Sequence, residues 1–289
     1  MIPKQHLKKI IKKAEIDYGK TLYHYTSIQA LKGILENKEF WLGNTRNMND
    51  KSELIDFINR ICDAVLLVED PNAPRVIETI NKIKQFENID YPFVMSLSHF
   101  RNQESPEQER TFEDVSMWER YADNAQGVCL KFDLKMFYKL FYGEDYFVID
   151  CISYKYDAKE HELVEAILNY INGKPYDFNN LEDLISNIQA CAVCHKHHSF
   201  YKEDEIRLTY FGDNPQKEYI CNGGIIKNIY KVNVGELCRA KNINFENLFQ
   251  EIIIGPRSKQ GIMNLQEYIG FLGYPELAKR VRFSNCPLR

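Results

Sequence analysis

LYHYTSIQALKGILENKEFWLG, Leu22 to Gly43, sets the architecture. Thr21 to Tyr25 is rich in β-branched and aromatic residues and predicts a short strand. Ser27 stands where a helix N-cap belongs. Ile28, Leu31, Ile34 and Leu35 then share one helical face, so a helix through about Glu36 is expected. Phe40 to Leu42 is extended again. A strand, a two- to three-turn helix and a second strand within 22 residues point to an α+β chain.

Outward from this unit, strand and helix patterns alternate irregularly. In the loop GNTRNMND, Asp50 pairs with Glu53 as a helix-capping signal. The next helix carries the stripe Leu54, Ile55, Ile58, Ile61, Cys62, Val65 and Leu66, and is expected to pack on a central sheet. PFVMSLSHF reads as a strand with Phe93, Met95 and Leu97 on one face and Val94, Ser96 and Ser98 on the other. SMWERYAD is a helical turn carrying Trp118 and Tyr121, and GVCLKFD is a strand. Residues 158–198 look helical, a helical insertion on the sheet. EIRLTYF puts Ile206, Leu208 and Tyr210 opposite Glu205, Arg207 and Thr209. No repeat or linker divides the chain, so a single α+β domain over residues 1–289 is expected.

The chain has 289 residues, 44% hydrophobic and 27% charged, with a net charge of −4. That balance excludes disordered, collagenous and coiled-coil chains. It supplies no global basic field for nucleic acid, only a local cluster at Lys8, Lys9, Lys12 and Lys13. No apolar run approaches the ~18 residues of a membrane span, so a cytoplasmic protein with no membrane partner is expected. Eight cysteines in such a chain read as free thiols. Glycine-rich phosphate loops, G-x-S-x-G, H-E-x-x-H and EF-hand loops are absent from the sequence, which argues against common nucleotide hydrolases, serine hydrolases and metalloproteases.

Three segments could carry chemistry. His24, followed by a helix N-terminus, suits a ribose or phosphate ligand, and equally a structural hydrogen bond. Glu203, Glu205 and Arg207 alternate, as a paired-carboxylate site or as a solvent-facing edge strand would. CAVCHKHH, Cys191 to His198, has a C-x-x-C at zinc spacing but no second half-set, and its cysteines suit the buried side of a helix as well; no metal is expected.

Taken together, His24 to Ser27, Leu31 to Leu35, Phe40 to Leu42, Asn49, Asp50 and Glu53 resemble the opening of the bacterial family called domain of unknown function 2971. The strand with Ser96 and Ser98, the segment MWERYADNAQGVCLKFD, the motif Phe200, Glu203, Glu205, Arg207, and EIIIGP at Glu251 to Pro256 continue the resemblance in order. Phe40, where leucine is commoner, and the Cys/His-rich run depart from it.

The pattern in turn looks like an ADP-ribosyltransferase fold, a split β-sheet core with flanking helices, and its opening resembles DarT-like DNA-modifying toxins. The resemblance implies NAD as substrate, with His24 on its ribose or nicotinamide. Thr26 and the following helix would support the dinucleotide, Ser96 and Ser98 would brace the middle strand, and Glu205 would be catalytic. Glu203 would then orient or deprotonate the acceptor, and Arg46 would pair with the pyrophosphate. Tyr25, Trp118 and Tyr121 are the aromatic candidates for stacking, with core packing as the alternative. The expected role is a toxin or phage-defence effector acting on nucleic acid or protein, with an antitoxin or defence-system partner. NAD hydrolysis at the same site, phosphotransfer on RNA 2′-phosphates, and a non-catalytic nucleotide sensor are the alternatives.

Overall fold

Ser27 does cap the first predicted helix: its Oγ accepts from Ala30 N at 3.0 Å. The computed structural model describes residues 4–47, 52–85, 92–100, 113–154, 158–212, 217–222 and 224–288. Its first half runs α1 (Lys4–Tyr18), β1 (Thr21–Thr26), α2 (Ile28–Asn37), β2 (Glu39–Asn44), α3 (Ser52–Leu66), α4 (Pro74–Lys84), β3 (Phe93–Ser98), α5 (Val115–Tyr121), β4 (Val128–Asp133), α6 (Leu134–Phe141) and β5 (Phe147–Cys151). The second half runs α7 (Ala158–Ile171), α8 (Leu181–Val193), β6 (Glu205–Tyr210), β7 (Lys217–Asn222), β8 (Ile225–Asn233), α9 (Val234–Ala240), β9 (Phe249–Ile254), α10 (Ile262–Phe271), α11 (Pro275–Ala278) and β10 (Val281–Phe283). The Asp50–Glu53 cap lies outside the description, as do Asn49 and most of the polar loop after Arg101.

The strands form one open, mixed sheet, antiparallel except for the β9–β10 pair. Its main path is β10-β9-β4-β1-β3-β2-β8-β7, with β6 on the other edge of β3 and β5 beyond β6. β3 is the junction. One edge pairs with β6 along its length, Phe93↔Tyr210 through Ser98↔Glu205. Among the described residues, the other edge is joined only at its ends, by Tyr23↔Ser98 and by Gly43↔Val94 and Asn44↔Phe93. The β3 edge is therefore open to both β1 and β2 around Ser96.

Period-two alternation sorts the two faces. Leu22, Phe93, Met95, Leu97, Leu130, Ile206 and Leu208 bury the first face in the largest core, against residues of α2, α6 and α10. On the second face, α3, α4, α7 and α8 form their own apolar cluster, which meets the sheet at Val94. The expected stripe of α3 thus packs in a cluster with the other three helices and with Val94 of β3. Within its stripe, Ile55 is exposed and Phe57 is buried, as spacing from Leu54 by three and four residues requires. A third, smaller cluster joins Tyr25, Met117, Trp118, Cys129 and Ile253 under α5.

The turn before β4 is tight enough to demand glycine. A Cβ on Gly127 would lie 2.1 Å from Thr26 O and 2.9 Å from Ala122 O, and one on Gly255 would lie 2.4 Å from Ala125 O. Gly255 N in turn donates to Gly127 O at 2.8 Å. Backbone oxygens cannot swing aside as a flexible side chain does. Gly127→Ala is expected to cost about 3 kcal/mol or more, the upper range for overpacking, read as a lower urea midpoint at unchanged slope.

Candidate active site

At the opening in the β3 edge His24 meets Ser96. His24 shares its face of β1 with Leu22 and pairs with Leu130 of β4. Beyond the Tyr23–Ser98 pair β1 leaves β3, and the imidazole comes to the opening, with Nδ1 2.9 Å from Ser96 O. A carbonyl only accepts, so Nδ1 carries the proton and donates. Burial pushes the His24 pKa below its ordinary value, against the raising effect of the Ser96 bond. The ring is thus neutral near pH 7, with Nε2 as an acceptor.

Ser96 is exposed, and its hydroxyl donates to the Glu205 carboxylate. His24 and Glu205 therefore meet at one residue from opposite faces, one through its backbone and one through its side chain. The expectation that they line one cleft side by side is corrected to this arrangement. Ser98, buried at the closed end of the opening, pairs with Glu205 in register.

Glu205 is 3% exposed and does not look into an open cleft. Its Oε1 accepts from Arg207 Nε at 2.7 Å, and its Oε2 from Arg207 Nη2 at 3.2 Å and Lys196 Nζ at 3.1 Å. Arg207 is itself buried, with Nη1 donating to Val193 O at 2.6 Å. The polar face of β6 is thus roofed by the end of α8, and the solvent-facing edge-strand reading falls. Burial alone would raise the Glu205 pKa; the Arg207 and Lys196 charges and the bonds from Arg207 and Ser96 outweigh it and bring it down to about 2.

Unfolding returns this carboxyl to its ordinary 4.5. The native state therefore gains stability from ionised Glu205 that is complete above pH 4.5 and is lost as pH falls toward 2. Unfolding free energies measured across that window are expected to fall with pH in the wild type and to fall less in Glu205→Gln.

Glu203 is not on the strand. It ends a 3-10 turn, His198–Glu203, and Asp204 follows in the left-handed region at φ 41 before β6 begins. The alternation of Glu203 with Glu205 read from sequence is corrected accordingly. The carboxylates still converge, because Lys196 bridges them: its Nζ is 2.7 Å from Glu203 Oε2. Tyr121 OH donates to Glu203 Oε1 at 2.6 Å, and Arg120 Nη1 lies 3.5 Å from the same oxygen. Burial, then the Glu203 bond, raises the Tyr121 pKa, so the phenol stays protonated and donates.

The remaining expected residues lie as follows. Tyr25 is buried, on the face of β1 opposite His24, its ring edge-on to the wholly buried Trp118 at 5.2 Å. Stacking of a ligand on either ring is corrected to core packing. Thr26 is half-buried at the end of β1, beside Gly127. Arg46 is exposed in the 3-10 turn after β2, past the Asn44–Phe93 end of the opening.

The Cys191–His198 run divides. Cys191 lies in the last turn of α8 and Cys194 caps it, while His195 is buried, with Nδ1 2.9 Å from Cys191 O and Nε2 3.0 Å from Glu160 of α7. Arg60 of α3 holds the same Glu160 oxygen at 2.9 Å. A cavity of about 410 Å³ between β5 and α8 is lined by Asp150, Cys151, Cys191, Cys194 and His195 among others. Among the described residues no group of three or more His, Cys, Asp or Glu side chains is arranged to hold a metal ion. No helix among them is long and apolar enough to cross a membrane.

Sequence reading missed Lys196. It lies inside the CAVCHKHH run among thiols and imidazoles, and nothing local marks a lysine whose partners lie seven and nine residues on. Tyr121 was found, but as a stacking ring and not as the donor to Glu203.

A family model described as a protein of unknown function, DUF2971, matches residues 117–208, from α5 into β6. The match supports that family across the stretch carrying Tyr121, Lys196, Glu203, Glu205 and Arg207. No curated protein and no solved structure matches the chain.

Proposed function

We propose that the chain binds NAD at the opening in the β3 edge and transfers its ADP-ribose to an acceptor. One observation carries the reading: Ser96, exposed in the opening, bonds His24 through its carbonyl and Glu205 through its hydroxyl. An acceptor imidazole and a carboxylate held ionised are thereby fixed about a single exposed residue. Ribose hydroxyls are donors that suit both groups.

In this reading His24 Nε2 accepts from a ribose hydroxyl. The nicotinamide–ribose bond breaks, nicotinamide leaves with the electron pair, and the sugar carbon develops cationic character as in glycoside hydrolysis. Glu205 stabilises that charge. Glu203 takes the proton of the nucleophile as the new bond to the sugar carbon forms, Ser98 keeps β3 in register with β6, and Thr26 and Arg46 flank the dinucleotide. The acceptor is nucleic acid or protein, and the role is that of a toxin or defence effector. Water as acceptor makes the same site an NAD glycohydrolase.

Incubating the chain with NAD and separate pools of DNA, RNA and protein tests this. Nicotinamide release with ADP-ribose mass added to one pool is expected. Free ADP-ribose alone identifies the glycohydrolase, and NAD left intact in every mixture contradicts the reading.

A further inference from the structure

The surroundings of Glu205 raise a difficulty that the proposed reaction must meet. A carboxylate offers about four lone-pair sites. Here they receive Arg207 Nε, Arg207 Nη2, Lys196 Nζ and the Ser96 hydroxyl. A ribose hydroxyl has no place on Glu205 until one donor withdraws. Arg207 is fixed at both ends, on β6 and at Val193 O. Ser96 sits within the fully paired β3–β6 ladder. Among the described residues, Lys196 is the donor that reaches Glu205 from outside the sheet.

Resting on the NAD reading of this site, we infer that Lys196 is a positioning residue that competes with substrate for Glu205 and yields to it by moving onto Glu203. Its main chain is anchored: Lys196 N donates to Ser153 O at 3.0 Å, and Ser153 N to Cys194 O at 2.7 Å. Its side chain, 9% exposed, has several rotatable bonds, and the ammonium carries three donors that can turn between acceptors. The contact to Glu203 is the shorter of the two, 2.7 Å against 3.1 Å. Withdrawal from Glu205 therefore leaves the charge paired, and the buried site keeps its balance. The Phe200 ring lies 4.8 Å from Nζ and faces the ammonium in this position. The helical insertion thus governs access to a carboxylate that the sheet supplies.

NAD affinity and the kinetics of nicotinamide release are measured for wild type, Lys196→Met and Lys196→Arg, each shown to be folded by circular dichroism. Lys196→Met removes the competitor, so NAD binds about ten-fold more tightly, the worth of one hydrogen bond to a charged group. KM falls by the same order, while kcat falls because Glu203 loses the closer of its two cations. Lys196→Arg keeps a cation on both carboxylates and binds NAD no better than wild type. If Lys196→Met does not fold, Lys196→Gln replaces it, with a gain in affinity still expected. Wild type that binds NAD, with a neutral variant that binds equally or more weakly, overturns the inference and leaves the NAD reading standing. Absence of NAD binding in every folded variant overturns both.

Discussion

Arg207→Met is expected to lower the unfolding free energy by about 3–5 kcal/mol, the range for breaking a buried ion pair by removing one partner. Arg207 is 1% exposed, and its bonds include two to Glu205 and one to Val193 O. Methionine fills much of the volume and satisfies none of them. Glu205 keeps Lys196 and Ser96, and the last carbonyl of α8 loses the Arg207 donor. Adding Glu205→Leu to Arg207→Met removes the second buried charge and is expected to recover part of the loss, because two apolar groups then replace a pair that was costly to desolvate. Urea unfolding of the two single variants and the double variant gives the comparison. A loss under about 1 kcal/mol for Arg207→Met, the level of an exposed pair, would show that the cluster is wetter than its burial says.

Glu205→Gln is expected to reduce nicotinamide release by about 10²–10³-fold, the usual cost of losing one aimed electrostatic partner in a transition state. The amide keeps the shape of the side chain and loses the charge. It also removes the negative charge that accepts two hydrogen bonds from buried Arg207, so this variant is expected to be less stable than wild type. Rates are therefore compared per folded molecule, well below each unfolding midpoint. Ser96→Ala separates the two effects: it removes one donor to Glu205 at an exposed position, keeps the backbone carbonyl that holds His24, and should change the rate more than the stability. Equal turnover by Glu205→Gln and wild type, per folded molecule, would remove Glu205 from the chemistry and leave it as part of a structural cluster.

Local chemistry made much of the fold legible. The Ser27 cap, the β1–α2–β2 unit and the alternation along β3 follow from hydrogen-bonding side chains and period-two patterning, which need no knowledge of distant residues. The same rule already placed Tyr25 opposite His24, since neighbours on a strand face opposite ways. Spacing by three and four from Leu54 would have put Phe57, not Ile55, in the buried stripe. Other features were not local. Asp204 breaks the alternation of the carboxylates because aspartate tolerates the left-handed region, and nothing in E-D-E says that it must. The roof that α8 builds over the polar face of β6 depends on a buried arginine, and a polar strand face reads the same whether water or a helix covers it. Lys196 is close in sequence to both glutamates, yet its role appears only when the 3-10 turn folds it back over them. The open edge of β3 is a property of how β1 and β2 pair, which residue patterns do not encode.

The central claim is that NAD binds at this opening with His24 Nε2 accepting from its ribose. Calorimetric titration of NAD into wild type and His24→Ala near pH 7.5, where the imidazole is neutral, tests it most directly. One saturable site is predicted in the wild type, with affinity about 2- to 10-fold weaker in the alanine variant, the worth of one neutral hydrogen bond, and with unfolding of both chains still cooperative. No saturable binding to the wild type, or the same affinity in both chains, would contradict it.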